Sequence, residues 1–293
     1  MSTAPRPPTF LIIHGSWHYP ELYGAFCKAI KNRGADVVCP RLPSCSGEIP
    51  PTQTIEGDVA LIRDIAQSLV LEGKEVFAVM HSYGGMVGTD ALEGLGIQRL
   101  IYLAAFVPFY GTNLVDMCGG SMAPFIVCDE QGMARVPEAA SVFYQDLPDD
   151  EAAFWAERLV PQPTSAQLNP VTHEAYRNIP ATYILCEDDR AIPVNIQERM
   201  ISDVQKAGAS MGVIRIPASH SPFLSMPDST AEIVVNLAAS SNALVLLPNN
   251  HRNPGCEKAA PEIFVTDTKE SQRSEILRAI HDSLGKVTAI LSV

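Results

Sequence analysis

The chain has 293 residues, 46% hydrophobic and 18% charged, which is ample for a globular core and fits one α/β domain with insertions. A formal net charge of −12 argues against nucleic acid and anionic membrane surfaces as partners, since both demand a basic face. No apolar run approaches the roughly 20 residues of a membrane helix, and Phe10–Ile13 is too short for a signal-peptide core.

In chain order, the first strand-like run is Thr9–Gly15 (TFLIIHG), followed by a helical pattern from Pro20 to the natural stop at Gly34. Ala35–Pro40 is a second apolar run. Thr54–Gly73 reads as a helix with Val59, Ile62, Ile65, Ala66 and Leu69 on one face. Further strand-like runs are Glu75–His81, Arg99–Phe106, Ala181–Glu187 and Met211–Pro217, with helical patterns at Val194–Ala209 and Ser229–Ser240. Most of these runs are continuously apolar, as expected of strands covered on both faces. Strands alternating with helices predict a mostly parallel central sheet flanked by helices on both faces.

The alternation breaks between Pro108 and Pro180, where Pro, Gly, acidic and aromatic residues accumulate. This stretch reads as an inserted cap or lid. Within it Asp146–Leu159 is expected as a capped amphipathic helix, with acids in its first turn. The expected organisation is a core of residues 1–107 and 181–240, the insertion 108–180, and an extension 241–293 of open role with a helix candidate at Ser271–Leu284. Seven scattered cysteines without a CxxC pair suggest neither a disulfide framework nor a zinc site. Cys39, Cys128 and Cys186 lie in apolar contexts and are expected to be buried thiols. A reducing, cytoplasmic location follows as the expectation.

The sequence MHSYGG, at Met80–Gly85, ends one of the apolar strands and opens a helix. That is the setting of a nucleophile elbow, in which a strained turn lifts the serine above the carboxyl edge of the sheet. Ser82 is therefore the candidate nucleophile. Gly84 and Gly85 allow strand and helix to crowd together, whereas Met80 stands where the general pattern has glycine and must find room behind the turn. A nucleophilic serine needs a base, and the base an orienting acid. His220, in a small polar turn after the last core strand, is the candidate base. Asp188 and Asp189 both follow the strand YILCE, and the spacing to Pro193 favours Asp189. Glu187 and Asp188 are expected to cap or solvate the loop. An oxyanion needs two N–H donors, and Tyr83 and Ser16 are the candidates. Trp17 and His18 would then lie at the pocket mouth, and His14 would hold the turn. The apolar residues of the insertion, Phe125, Phe143, Phe154 and Trp155, suggest an apolar pocket, of which Phe125 and Trp155 are the candidate lining. His173, His251 and His281 lack partners at metal spacing. Without HExxH, GxGxxG or a P-loop, nothing calls for a metal or a nicotinamide cofactor.

With FLIIHGSWH, VMHSYGG, DLPDDEAAFWAERL, YILCEDDRAIP and SHSPFLSMP in this order, the sequence resembles the α/β-hydrolase superfamily over about Thr9–Ser240. The branch is that of plant hydroxynitrile lyases, plant methyl esterases, and bacterial and fungal esterases. The resemblance implies Ser82 as nucleophile, His220 as base, Asp189 as orienting acid, backbone donors at Ser16 and Tyr83, and a lid from about Pro108 to Pro180. The lyases of the branch carry a threonine at the position of Gly15 and a lysine at that of Ser221, which argues against cyanide release. The expected activity is hydrolysis of a small, largely apolar carboxylic ester, thioester or lactone. The alternatives are a retro-aldol, retro-Claisen or cyclisation step in the same pocket, and a small-molecule receptor with a vestigial triad. The expected partner is a small molecule, with a homodimer left open.

Overall fold

The computed structural model describes residues 6–49 and 53–245, with side chains up to 239. The helix candidate Ser271–Leu284, His251, His281 and Cys256 lie outside the described residues. The core elements are β1 (Thr9–Ile13), α1 (Gly24–Asn32), β2 (Asp36–Val38), α2 (Ile55–Leu71), β3 (Val76–His81), α3 (Gly84–Ala91) and β4 (Arg99–Leu103). Small elements follow: α4 (Leu114–Met117), β5 (Val127–Cys128), β6 (Met133–Arg135), α5 (Ala139–Phe143), α6 (Asp149–Ala156), β7 (Gln162–Pro163) and α7 (Ser165–Leu168). The core resumes with β8 (Ala181–Cys186), α8 (Val194–Lys206), β9 (Met211–Ile216), α9 (Pro222–Ser225) and α10 (Pro227–Val245).

Six strands form one parallel sheet in the order β2-β1-β3-β4-β8-β9. Successive side chains of a strand point to opposite faces, so each strand feeds two cores. Phe10, Ile12, Phe77, Val79, Ile101, Leu103 and Ile184 pack with Phe26 and Ile30 of α1 and Val234 of α10. Leu11, Ile13, Ala78, Met80, Leu100, Tyr102 and Tyr183 pack with Ile62 and Ala66 of α2, Met86 and Val87 of α3, and Val204 of α8. The continuous apolar runs in the sequence are the trace of this double coverage. This is the α/β-hydrolase fold, with helices on both faces of a parallel sheet. Among the described residues no helix is long and apolar enough to cross a membrane.

Between β4 and β8 the chain forms a small antiparallel sheet, β5-β6-β7, and short helices. Its aromatic core joins Phe143, Tyr144 and Ala152 to Trp17 of the loop after β1. Two local expectations are corrected. α6 keeps the acids Asp149, Asp150 and Glu151 in its first turn, but it starts after Pro148 and has no side-chain cap. Cys186 is buried as expected, whereas Cys39 is half-buried beyond edge strand β2 and Cys128 is exposed on the two-residue β5. β5 is the edge strand of the small sheet, and among the described residues both of its positions stay exposed.

Glycines let strand and helix meet at the elbow. A Cβ at Gly85 would sit 2.1 Å from the Phe106 carbonyl oxygen, and one at Gly84 would sit 2.2 Å from that of Ile13. The room for Met80 comes from Gly88, where a Cβ would lie 2.3 Å from the Met80 sulfur. Among the described residues nothing lies within 4 Å of a Cβ placed at Gly24, at the start of α1. Gly85→Ala is therefore expected to destabilise the fold by roughly 1–3 kcal/mol, since a backbone oxygen cannot step aside. Gly24→Ala should be neutral or stabilising by about 0.4–1 kcal/mol. Urea unfolding of the two variants checks the contrast.

Candidate active site

Ser82 follows the last residue of β3 and adopts φ 54°, in the left-handed region that a serine enters only under constraint. The constraint is visible. Its carbonyl accepts the N–H of Phe106 at 3.1 Å and that of Gly85 at 3.0 Å, while the glycines clear the space. Among the described residues the Ser82 hydroxyl makes no hydrogen bond to protein, and the residue is 8% exposed.

Asp189 stands in the loop after β8. Its Oδ1 accepts the N–H groups of Ala191 at 2.8 Å and Ile192 at 2.9 Å, and its Oδ2 accepts Gln197 Nε2 at 3.3 Å. The same Oδ2 lies 2.8 Å from His220 Nδ1, with both side chains buried. A carboxylate oxygen only accepts, so Nδ1 carries the proton and Nε2 is left as the basic nitrogen. The structure thus brings Asp189 and His220 together. It does not close a hydrogen bond between His220 Nε2 and Ser82 Oγ, a contact that is often loose without substrate. Asp188 is exposed and its carbonyl accepts Gln145 Nε2 at 2.5 Å, while Glu187 pairs with Arg215 at 2.8 Å.

A chain of buried hydrogen bonds ties these pieces from below. Gly15 N–H donates to Tyr23 Oη at 3.1 Å, and Tyr23 Oη lies 2.6 Å from His81 Nδ1. His81 Nε2 lies 2.9 Å from the His220 carbonyl. That carbonyl can only accept, so His81 holds its proton on Nε2 and takes one from Tyr23 on Nδ1. Burial pushes the His81 pKa well below the usual range, with the neighbouring His220 and His18 acting the same way, so the ring is neutral. Sequence reasoning passed over this link because its members are separated by 58 and 139 positions.

The loop after β1 rests on the nucleophile. A Cβ at Gly15 would come within 2.9 Å of His81 Nδ1 and 3.0 Å of Ser82 Cβ. His14 holds this loop as expected: Nδ1 donates to the Gly15 carbonyl at 3.0 Å, and Nε2 accepts Leu42 N–H at 2.9 Å. Burial lowers its pKa to about 4, which suits the acceptor role. Among the described residues neither the Ser16 nor the Tyr83 backbone N–H is bonded to a protein acceptor. Both remain available.

Trp17 and His18 are not at an open mouth, which corrects the expectation. They are 6% and 1% exposed, covered by the insertion. Trp17 Nε1 donates to the Ala134 carbonyl at 2.9 Å, and His18 Nε2 lies 2.9 Å from Tyr144 Oη. Phe143 is buried with its ring 5.4 Å from that of His220. Phe125 is half-buried and meets Phe143 edge-on at 6.0 Å. Trp155 is half-buried beside Phe154, and its indole N–H reaches Glu151 at 3.4 Å. Phe154 faces solvent beneath the Arg158 guanidinium. His173 is half-exposed and pairs with buried Asp90 at 2.6 Å. Among the described residues no group of three or more His, Cys, Asp or Glu could hold a metal.

A second buried cluster sits under Tyr83. Asp58 Oδ1 accepts Ser44 N–H at 2.8 Å; Oδ2 accepts the Ser44 hydroxyl at 2.6 Å and the Tyr83 hydroxyl at 2.8 Å. Gln162 of the insertion donates to Ser44 Oγ at 3.0 Å. Burial raises the Asp58 pKa to about 6 against the pull of its three donors. The only hint in the sequence was an acid one position before an apolar helix face.

Comparison with known proteins gives the same architecture. Residues 10–233 match the "Alpha/beta hydrolase family". The chain is 31% identical over 263 residues to the pyrethroid hydrolase of Sphingobium wenxiniae, covering 78% of this chain and 86% of that one. It is 29% identical over 253 residues to the alpha/beta hydrolase nvfD of Aspergillus novofumigatus, covering 80% and 98%. The crystal structure of polyneuridine aldehyde esterase superposes with a TM-score of 0.66 at 17% identity, over 79% of this chain and 99% of that one, a likeness of fold.

Asp58 predicts a pH signature. Its folded pKa is raised, so the native state holds its proton more tightly than the unfolded chain. The stability this confers is complete below about pH 3.8 and is lost as pH rises through about 6. The stability difference between wild type and Asp58→Asn should therefore fall by about 3 kcal/mol across that window. Urea unfolding at stepped pH measures it; a flat difference would remove the buried-acid account.

Proposed function

The chain belongs to the alpha/beta hydrolase family, and from that membership we propose that it is a serine hydrolase of small, largely apolar carboxylic esters. The observation that carries this reading is the buried Asp189–His220 pair at 2.8 Å, tied through His81 to the strained turn that presents Ser82. In this mechanism Ser82 Oγ attacks the ester carbonyl while His220 Nε2 takes its proton. Asp189 holds the ring by Nδ1–H and stabilises the imidazolium. The oxyanion is received by the N–H groups of Ser16 and Tyr83. His220 then protonates the leaving alkoxide, and a water, deprotonated by His220, releases the acid from Ser82.

The substrate class is argued from the surroundings. Phe143, Trp17 and Phe223 surround the histidines with apolar surface, which suits an uncharged acyl or alcohol group. Ser221, beside the base, is buried, and among the described residues its hydroxyl has no partner; a serine at that position offers no cation to a departing anion. This favours ester hydrolysis over cyanide elimination. We assign the lid role to residues 108–180, which cover Trp17 and His18. The name of one relative, a pyrethroid hydrolase, supports a hydrolytic role here.

Ser82→Ala is expected to lower kcat for a panel of short-chain aryl esters by about ten-thousand-fold. His220→Ala should do nearly the same, and the double variant should be no worse than either, because the two act as a unit. Steady-state hydrolysis of 4-nitrophenyl esters measures this. Retained turnover in Ser82→Ala would overturn the serine mechanism.

A further inference from the structure

The loop that offers Ser16 N–H is held from the insertion. Trp17 adopts φ 64°, a left-handed conformation that a bulky residue keeps only when its surroundings impose it. Two of the imposing bonds come from residues between β4 and β8. Val160 N–H donates to the Trp17 carbonyl at 2.9 Å, and the Ala134 carbonyl takes the Trp17 indole proton at 2.9 Å. A third runs through His18. Its Nδ1 lies 2.7 Å from the Ser16 carbonyl, which can only accept, so Nδ1 bears the proton. Burial lowers the His18 pKa to about 3, so the ring is neutral and Nε2 has a lone pair. Tyr144 Oη, 2.9 Å away and itself buried, is the donor to that lone pair. The direction of every proton in the path Tyr144 → His18 → Ser16 is therefore fixed.

We propose that Tyr144, acting through His18, is a positioning residue that sets the oxyanion loop, so that Ser16 N–H is aimed only while the insertion is seated. This rests on the serine-hydrolase reading above. It makes closure of the insertion a condition for transition-state stabilisation and not merely a cover for the pocket. Neither residue needs to touch the reacting atoms.

The substitutions separate the parts of the path. Tyr144→Phe removes the donor and keeps the ring. His18→Asn keeps an N–H near Nδ1 for the Ser16 carbonyl and loses the link to Tyr144. His18→Ala loses both. With 4-nitrophenyl butyrate as substrate, Tyr144→Phe and His18→Asn should each lower kcat roughly tenfold with KM within about twofold. An alkyl trifluoromethyl ketone, whose adduct places an oxyanion in the hole, should lose affinity by the same factor as kcat/KM. The Tyr144→Phe/His18→Asn double variant should be no worse than either single, and His18→Ala should fall further. Wild-type kcat in both single variants, with Ser82→Ala inactive, would overturn the positioning role and leave the serine mechanism standing. Multiplicative losses in the double variant, or a rise in KM with unchanged ketone affinity, would show independent packing effects and also overturn it. Full activity in Ser82→Ala would remove the serine mechanism and this inference together.

Discussion

The site depends on one buried neutral imidazole. His81 is the residue before the candidate nucleophile, and its two nitrogens face in opposite directions. One accepts from Tyr23, which in turn receives Gly15 N–H; the other donates to the backbone of His220. Three segments from distant parts of the chain are thereby held at one carboxyl edge of the sheet: the loop after β1, the elbow after β3 and the loop after β9. A charged His81 would have two protons and no acceptor on the Tyr23 side except an oxygen already receiving a bond. Burial opposes that charge and keeps the ring neutral, the His220 carbonyl holds its one proton on Nε2, and that tautomer fixes the geometry.

The insertion completes what the sheet begins. The core places Ser82, Asp189 and His220 from strand ends, and the residues between β4 and β8 bond to the loops that carry them. Ser219, just before His220, donates its N–H to Asp146 at 2.9 Å and its hydroxyl to the Phe143 carbonyl at 3.1 Å. Arg190, just after Asp189, donates to the Ser141 carbonyl at 3.1 Å. Movement of this segment would therefore be felt by the loops on which the proposed chemistry relies.

Much of the fold was legible in the sequence because double-sided burial leaves continuous apolar runs. All six core strands lie within the runs read from composition, and α2 buries Ile62, Ala66 and Leu69 on the face that periodicity assigned. The elbow was legible because strand, glycine pair and helix are adjacent in sequence. Choosing Asp189 over Asp188 rested on local spacing to Pro193, and it is Asp189 that lies beside His220. What escaped was long-range polar pairing. Nothing local marks Tyr23 as the partner of His81, or Asp58 as the acceptor of Tyr83. Trp17 and His18 were expected at a rim because loop position alone cannot show what folds over them. Cys128 was expected in a core because two apolar neighbours look the same on a buried strand and on an exposed edge.

The central claim is that Ser82 is a serine activated by His220. Intact mass after treatment with a fluorophosphonate, followed by peptide mapping, tests it most directly. The account predicts a single adduct on Ser82 in the wild type and none in His220→Ala. An unlabelled wild type that is folded by circular dichroism, or labelling of Ser82 that survives His220→Ala undiminished, would contradict it.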